Sequence, residues 1–176
     1  MSTIVENYYA GGRLGALVCC GLALLAGGLG IYLAKAKVDF WSGFGWALLV
    51  GSALVLVAGG VYFVGLGSDH ASYSKLLADD APRFFAEEND HMAHALRSFY
   101  WVILGEMSVV LVGIGLLLLG QARSTEVLSG IGAGIALIAV LLAFYDSFNR
   151  QRATNYHDDL KTSSSTRVEL PSAPNR

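Results

Sequence analysis

Four long apolar stretches alternate with polar ones along this chain, at residues 14–34, 41–65, 99–119 and 127–145. Each is long enough to cross the hydrocarbon core of a bilayer, which takes roughly 20 helical residues at a rise of about 1.5 Å each. The pattern predicts an all-α membrane protein with four transmembrane helices. Short links at 35–40 and 120–126 join them into two hairpins, 14–65 and 99–145, each with antiparallel neighbours. The stretch between the hairpins, 66–98, also reads as helical. Asp80 suits an N-cap with Pro82 in the first turn. Phe85, Met92, Leu96, Phe99 and Ile103 follow at spacings of seven, four, three and four, an apolar stripe running into the third span. The third helix is therefore expected to project beyond the membrane. Phe144, Phe148, Tyr156 and Leu160 predict the same of the fourth. The serine- and threonine-rich run from Thr162, with Pro171 and Pro174 behind it, reads as a disordered tail.

The hairpins share a short pattern. Ser42-Gly43-Phe44-Gly45 and Ser129-Gly130-Ile131-Gly132 lie 87 positions apart, and the same offset relates Gly28 to Gly115. A parallel duplication and a chance match in glycine-rich apolar sequence both account for this. Gly130 and Gly134 form a Gly-x-x-x-Gly spacing that lets helix backbones approach closely, within the bundle or between copies of the chain.

Composition supports the membrane reading: 54% of residues are hydrophobic and 15% charged, where soluble domains carry about 25% charged residues. The net charge of −2 leaves no basic field to attract nucleic acid. Lys and Arg divide unequally. Arg13, Lys75, Arg83, Arg97, Arg150, Arg152, Lys161, Arg167 and Arg176 fall on one side, against Lys35, Lys37 and Arg123 on the other. The inequality predicts that the N-terminus (1–13), the middle segment (66–98) and the C-terminal extension (146–176) are cytoplasmic. Tyr8, Tyr9, Tyr32, Phe40, Trp41, Tyr62, Phe99, Tyr100, Trp101 and Tyr145 fall near the span ends, as interfacial anchors do. The adjacent Cys19 and Cys20 suit neither a disulfide nor a spaced metal site and read as small core residues. Val18 before them, and Arg13 so close upstream, make lipoprotein processing a poor fit, so the first span is expected to be retained.

Candidate chemistry is sparse. Glu106 is the one ionisable residue well inside a span, where a charged carboxylate costs about 2.5 kcal/mol or more near the bilayer centre. It must face the bundle and be protonated or paired, as a proton or cation site or, more plainly, in an ion pair with Arg13 or Arg97. Asp146 and Arg150, four apart, suit a local ion pair. Glu87, His91 and His94 share a helical face and are three nominal metal ligands, with His70 or His157 available as a fourth; a solvated polar face explains them as well. No histidine lies within a span to ligate haem, and no cofactor is expected. Asp69, Asp79, Asp80, Glu87, Glu88 and Asp90 stand against Lys75 and Arg83, an acidic stretch that suits a basic protein partner. There is no phosphate-binding loop, no metalloprotease motif and no nucleophile with a neighbouring base, so an enzyme is the least supported class.

The run from Phe84 to Phe99, with Glu87-Glu88, Met92 and Leu96, and the later Asp146-x-Phe148 with Arg152, Tyr156 and Leu160 resemble a group of small four-span bacterial inner-membrane proteins of uncharacterised function. The resemblance covers residues 60–160. It implies the fold and a bacterial inner membrane, and its pattern favours a basic residue where His91 stands, against the metal reading. Three functions then stand as expectations. The first is a non-enzymatic immunity protein that neutralises a pore-forming or membrane-acting toxin through the acidic face. The second is a small transporter or channel subunit that uses Glu106 and needs a homo-oligomer to line a path. The third is an assembly subunit of a membrane complex.

Overall fold

A computed structural model describes residues 2–169. The elements are four α-helices: α1 Ser2–Ala34, α2 Asp39–Asp79, α3 Ala81–Ala122 and α4 Glu126–Glu169. Each contains a segment long and apolar enough to span a membrane, so this is a multi-pass membrane protein. With 41 to 44 residues apiece, α2, α3 and α4 extend for roughly 60 Å, about twice the hydrocarbon thickness. The expected projection of α3 and α4 is present, and α1 and α2 project at the same end. The segment 66–98 is thus not a separate unit. It is the end of α2 and the start of α3, joined at Asp80, whose side chain accepts from the Arg83 amide at 3.1 Å and caps α3. At the far end, α4 remains helical through the run from Thr162 that the sequence assigned to a disordered tail. Thr162 and Ser164 donate their hydroxyls back to the carbonyls of Asp158 and Lys161, which keeps a polar run compatible with a helix. Pro171, Pro174 and Arg176 lie outside the described residues.

The helices pack in the order α1, α2, α4, α3, with α2 and α4 as the central pair and little contact between α2 and α3 or between α1 and α4. Small residues make this possible. A side chain at Gly43 would strike the Val127 carbonyl, and one at Gly130 the Phe40 carbonyl; Gly134 faces Ala47, and Gly51 faces Ile138. These contacts are reciprocal under the 87-position offset, since 43 pairs with 130, 40 with 127, 47 with 134 and 51 with 138. Within the hairpins the same symmetry appears. Ser42 Oγ donates to the Ala34 carbonyl at 3.2 Å, and Ser129 Oγ to that of Leu117 at 3.3 Å. Gly30 and Gly45 pack backbone to backbone, as do Gly113 and Gly132. The two hairpins are therefore built alike, but α1 and α3 correspond at an offset of 83, with the four-residue difference taken up before α4. That corrects one detail of the repeat: Gly28 matches Leu111, not Gly115, and both Gly28 and Gly115 face open space.

The buried core lies at the extramembrane end, where Val5, Tyr9, Leu66, Phe84, Phe85, Met92, Ala153, Tyr156 and Leu160 close around one another. Most of the membrane-spanning surface is exposed to what would be lipid. One expectation changes here. Tyr9 is a core residue and Tyr8 stacks on Tyr156 at 4.1 Å, so neither is an interfacial anchor, whereas Tyr32, Trp41, Tyr100 and Trp101 are exposed as anchors should be. On α4, Phe144 and Phe148 face outward; the inner stripe is Asn149, Ala153, Tyr156 and Leu160, spaced by four, three and four.

Candidate functional site

Glu106 sits on the inner side of α3, one long turn past the aromatic cluster at the membrane boundary, and half-buried. Opposite it, the first turn of α4 beyond its apolar length brings Asp146. The two carboxyls lie within hydrogen-bond reach of each other, and Asp146 also reaches the Asn149 side chain. Glu106 Oε2 is buried with no donor to meet it among the described residues. The expected partners of Glu106 are elsewhere: Arg13 lies over the Phe63 ring at 4.7 Å and Arg97 is exposed. Asp146 likewise makes no ion pair with Arg150, which is exposed; the partner that sequence spacing offered was on the same helix, and the one the fold supplies is on α3. Two facing carboxyls are costly to ionise together in an apolar setting, a cost that a shared proton or a cation between them would relieve.

The pair opens onto a groove of about 1160 Å³ between α2 and α3, floored by α4. Beyond the acids, toward the hairpin turns, the walls are apolar: Trp46, Val50, Val109, Ile131, Ile135 and Ile138. Toward the extramembrane end the groove reaches Tyr8, Tyr9, Asp69 and His91. The groove exists because α2 and α3 are both packed against α4 and scarcely against each other. Arg152 fills the space beside it, where Gly11, Gly12 and Gly15 of α1 leave room for its side chain, with Tyr8 at 5.6 Å and Tyr62 within hydrogen-bond reach.

A second acid stands apart in the extramembrane core. Glu88 is fully buried, and its Oε1 accepts from Tyr9 at 3.0 Å and from Tyr156 at 2.9 Å, while Oε2 has no partner among the described residues. Burial pushes this carboxyl up to about 7, although the two phenol hydrogen bonds pull it down. Burial, with the Glu88 charge behind it, also raises Tyr9 and Tyr156.

Glu88 therefore leaves the acidic docking face predicted from sequence. Asp79, Asp80, Glu87 and Asp90 are exposed and Asp69 is half-buried at the groove mouth, with Glu87 taken by Arg83 at 2.6 Å and Asp80 by its cap. The metal reading of Glu87, His91 and His94 has no geometric basis: among the described residues no group of three ligating side chains converges. His91 turns its ring toward Tyr73. Cys19 and Cys20 are free thiols, half-buried. Among the site residues, sequence reading missed the partnership of Glu106 with Asp146, which no local pattern signals, and the core role of Glu88. No protein family, curated protein or solved structure matches this chain.

Proposed function

We propose that this chain is a small transport or channel subunit that takes up a proton or cation at the Glu106–Asp146 pair. The observation that carries this reading is the pairing of two carboxyls from different helices on the wall of an open intramembrane groove. Carboxylates in membrane segments are costly and tend to mark ion or proton paths. The repeat adds to it. The positions in the first hairpin equivalent to Glu106 and Asp146 are Ala23 and Gly59, so a hairpin of this kind folds without acids there. With four spans per chain, a continuous path calls for a homo-oligomer. The membrane is that of a bacterial cytoplasm-facing surface, with both termini inside, following the Lys and Arg distribution and the sequence resemblance. The toxin-immunity reading rested on the acidic face, which loses Glu88 to the core and has Glu87 engaged, and it has no comparable site behind it.

Purified protein in liposomes is expected to dissipate an imposed proton or monovalent-cation gradient. Glu106→Gln and Asp146→Asn should each reduce that flux at least tenfold. Flux that persists unchanged in the double variant would exclude the pair as the transport site.

A further inference from the structure

The groove indicates what the pair takes besides a proton. A bound inorganic cation requires a cage of oxygens, six or more for the common hard ions, and the site offers two carboxyls beside hydrocarbon walls. Its volume is at the upper end of small-molecule pockets and far beyond what one bare ion needs. The polar and apolar parts are also separated. Ile138, Ile135 and Ile131 follow one another along α4 on the side of the acids away from the polar mouth, with Trp46, Val50 and Val109 facing them across the groove. From Asp146 to Ile131 the helix rises about 22 Å, the dimensions of an extended chain with a charged head. The acids, at the polar end of this limb, supply the complementary charge.

We propose that the α2–α3 groove binds an organic monocation with a linear apolar body, its charged head at Glu106 and Asp146 and its hydrocarbon along Ile138, Ile135 and Ile131. This rests on the reading of the acid pair given above and names the class of molecule that the pair accepts. A neutral lipid tail entering the same groove from the bilayer satisfies the isoleucines and leaves the carboxyls unmatched, so charge separates the two occupants.

The test is binding of radiolabelled decyltrimethylammonium to the full chain in nanodiscs of an uncharged galactolipid, with partition into protein-free nanodiscs subtracted. Saturable binding is expected, displaced by excess unlabelled cation and at least tenfold less well by the uncharged decyldimethylamine oxide or by tetramethylammonium. The Glu106→Gln/Asp146→Asn variant should lose at least tenfold in affinity. Ile135→Trp, which leaves both acids in place and obstructs the apolar limb, should weaken decyltrimethylammonium binding at least tenfold. Equal competition by the uncharged analogue, or affinity unchanged in the double acid variant, overturns the proposal in favour of lipid filling the groove. No saturable binding alongside Glu106-dependent flux removes this substrate class and leaves the transport reading standing; loss of both removes both.

Discussion

Glu88 carries two phenol hydrogen bonds on one oxygen and none from the described residues on the other, and is fully buried. Its carboxyl is raised to about 7, from an ordinary value of 4.5. A raised carboxyl binds its proton more tightly folded than unfolded, so the contribution to stability is complete below about pH 4.5 and is lost as pH rises through about 7. At about 1.4 kcal/mol per tenfold change in proton affinity, the loss amounts to roughly 3 kcal/mol. Thermal unfolding in detergent should show a midpoint that falls between pH 5 and pH 8, and Glu88→Gln should flatten that fall. A midpoint with the same pH profile in the variant would show that another group is responsible. The burial of Glu88 was legible in part. The apolar stripe leaves a seven-residue gap between Phe85 and Met92, and residue 88 fills it at helical spacing, three after one and four before the other. Adjacent Glu87 disguised it as half of a solvated acidic pair. The partnership of Glu106 with Asp146 was not legible, because it depends on how α3 is set against α4 in depth and rotation, which periodicity within one helix does not specify.

At the scale of the helices, the contact between α2 and α4 is made by backbone and small side chains, and the repeat makes its energetics predictable. Leucine at Gly43 or Gly130 would meet a carbonyl on the opposite helix, while leucine at Gly28 or Gly115 would enter open space. The first two substitutions should each destabilise the bundle by about 1–3 kcal/mol or more, the range for overpacking a close contact, and the last two should fall within about 0.5 kcal/mol of the parent. Unfolding midpoints of the four variants check this, and a similar loss at all four positions would show that the α2–α4 contact is not specially tight. The Ser-Gly-x-Gly repeat announced the correspondence of α2 with α4, because serine and glycine there perform a steric task. The Gly28–Gly115 match carried no such task, and an insertion before α4 shifts the true register of α1 against α3 by four residues. Phe144 and Phe148 belong to the helical extension they predicted and yet face outward: in a membrane helix apolar residues face lipid as readily as protein, so hydrophobicity alone does not mark the inner side.

For the molecule as a whole, hydropathy and helix length made the four-span architecture readable, since the hydrocarbon thickness fixes how long an apolar helix must be. What hydropathy does not reveal is that the cluster of large buried side chains lies outside the membrane, in a bundle formed by the ends of all four helices. This placement constrains topology: the α1 start, the Asp80 turn and the end of α4 must share one side, because they enclose a single core, and the two hairpin turns must occupy the other. The Lys and Arg distribution predicts that the shared side is the cytoplasmic one. Single cysteines introduced at Glu6, Asp79 and Asp158, in a chain with Cys19 and Cys20 replaced by alanine, should react with a membrane-impermeant maleimide only after cells are opened. Cysteines at Lys37 and Thr125 should react in intact cells whose outer layers admit the reagent. Inversion of the whole pattern would reverse the orientation and keep the fold, since the charge bias sets the first and the shared core the second. A split among Glu6, Asp79 and Asp158 is the outcome the bundle forbids, because Tyr9, Glu88 and Tyr156 bring three helix ends to one hydrogen-bonded point.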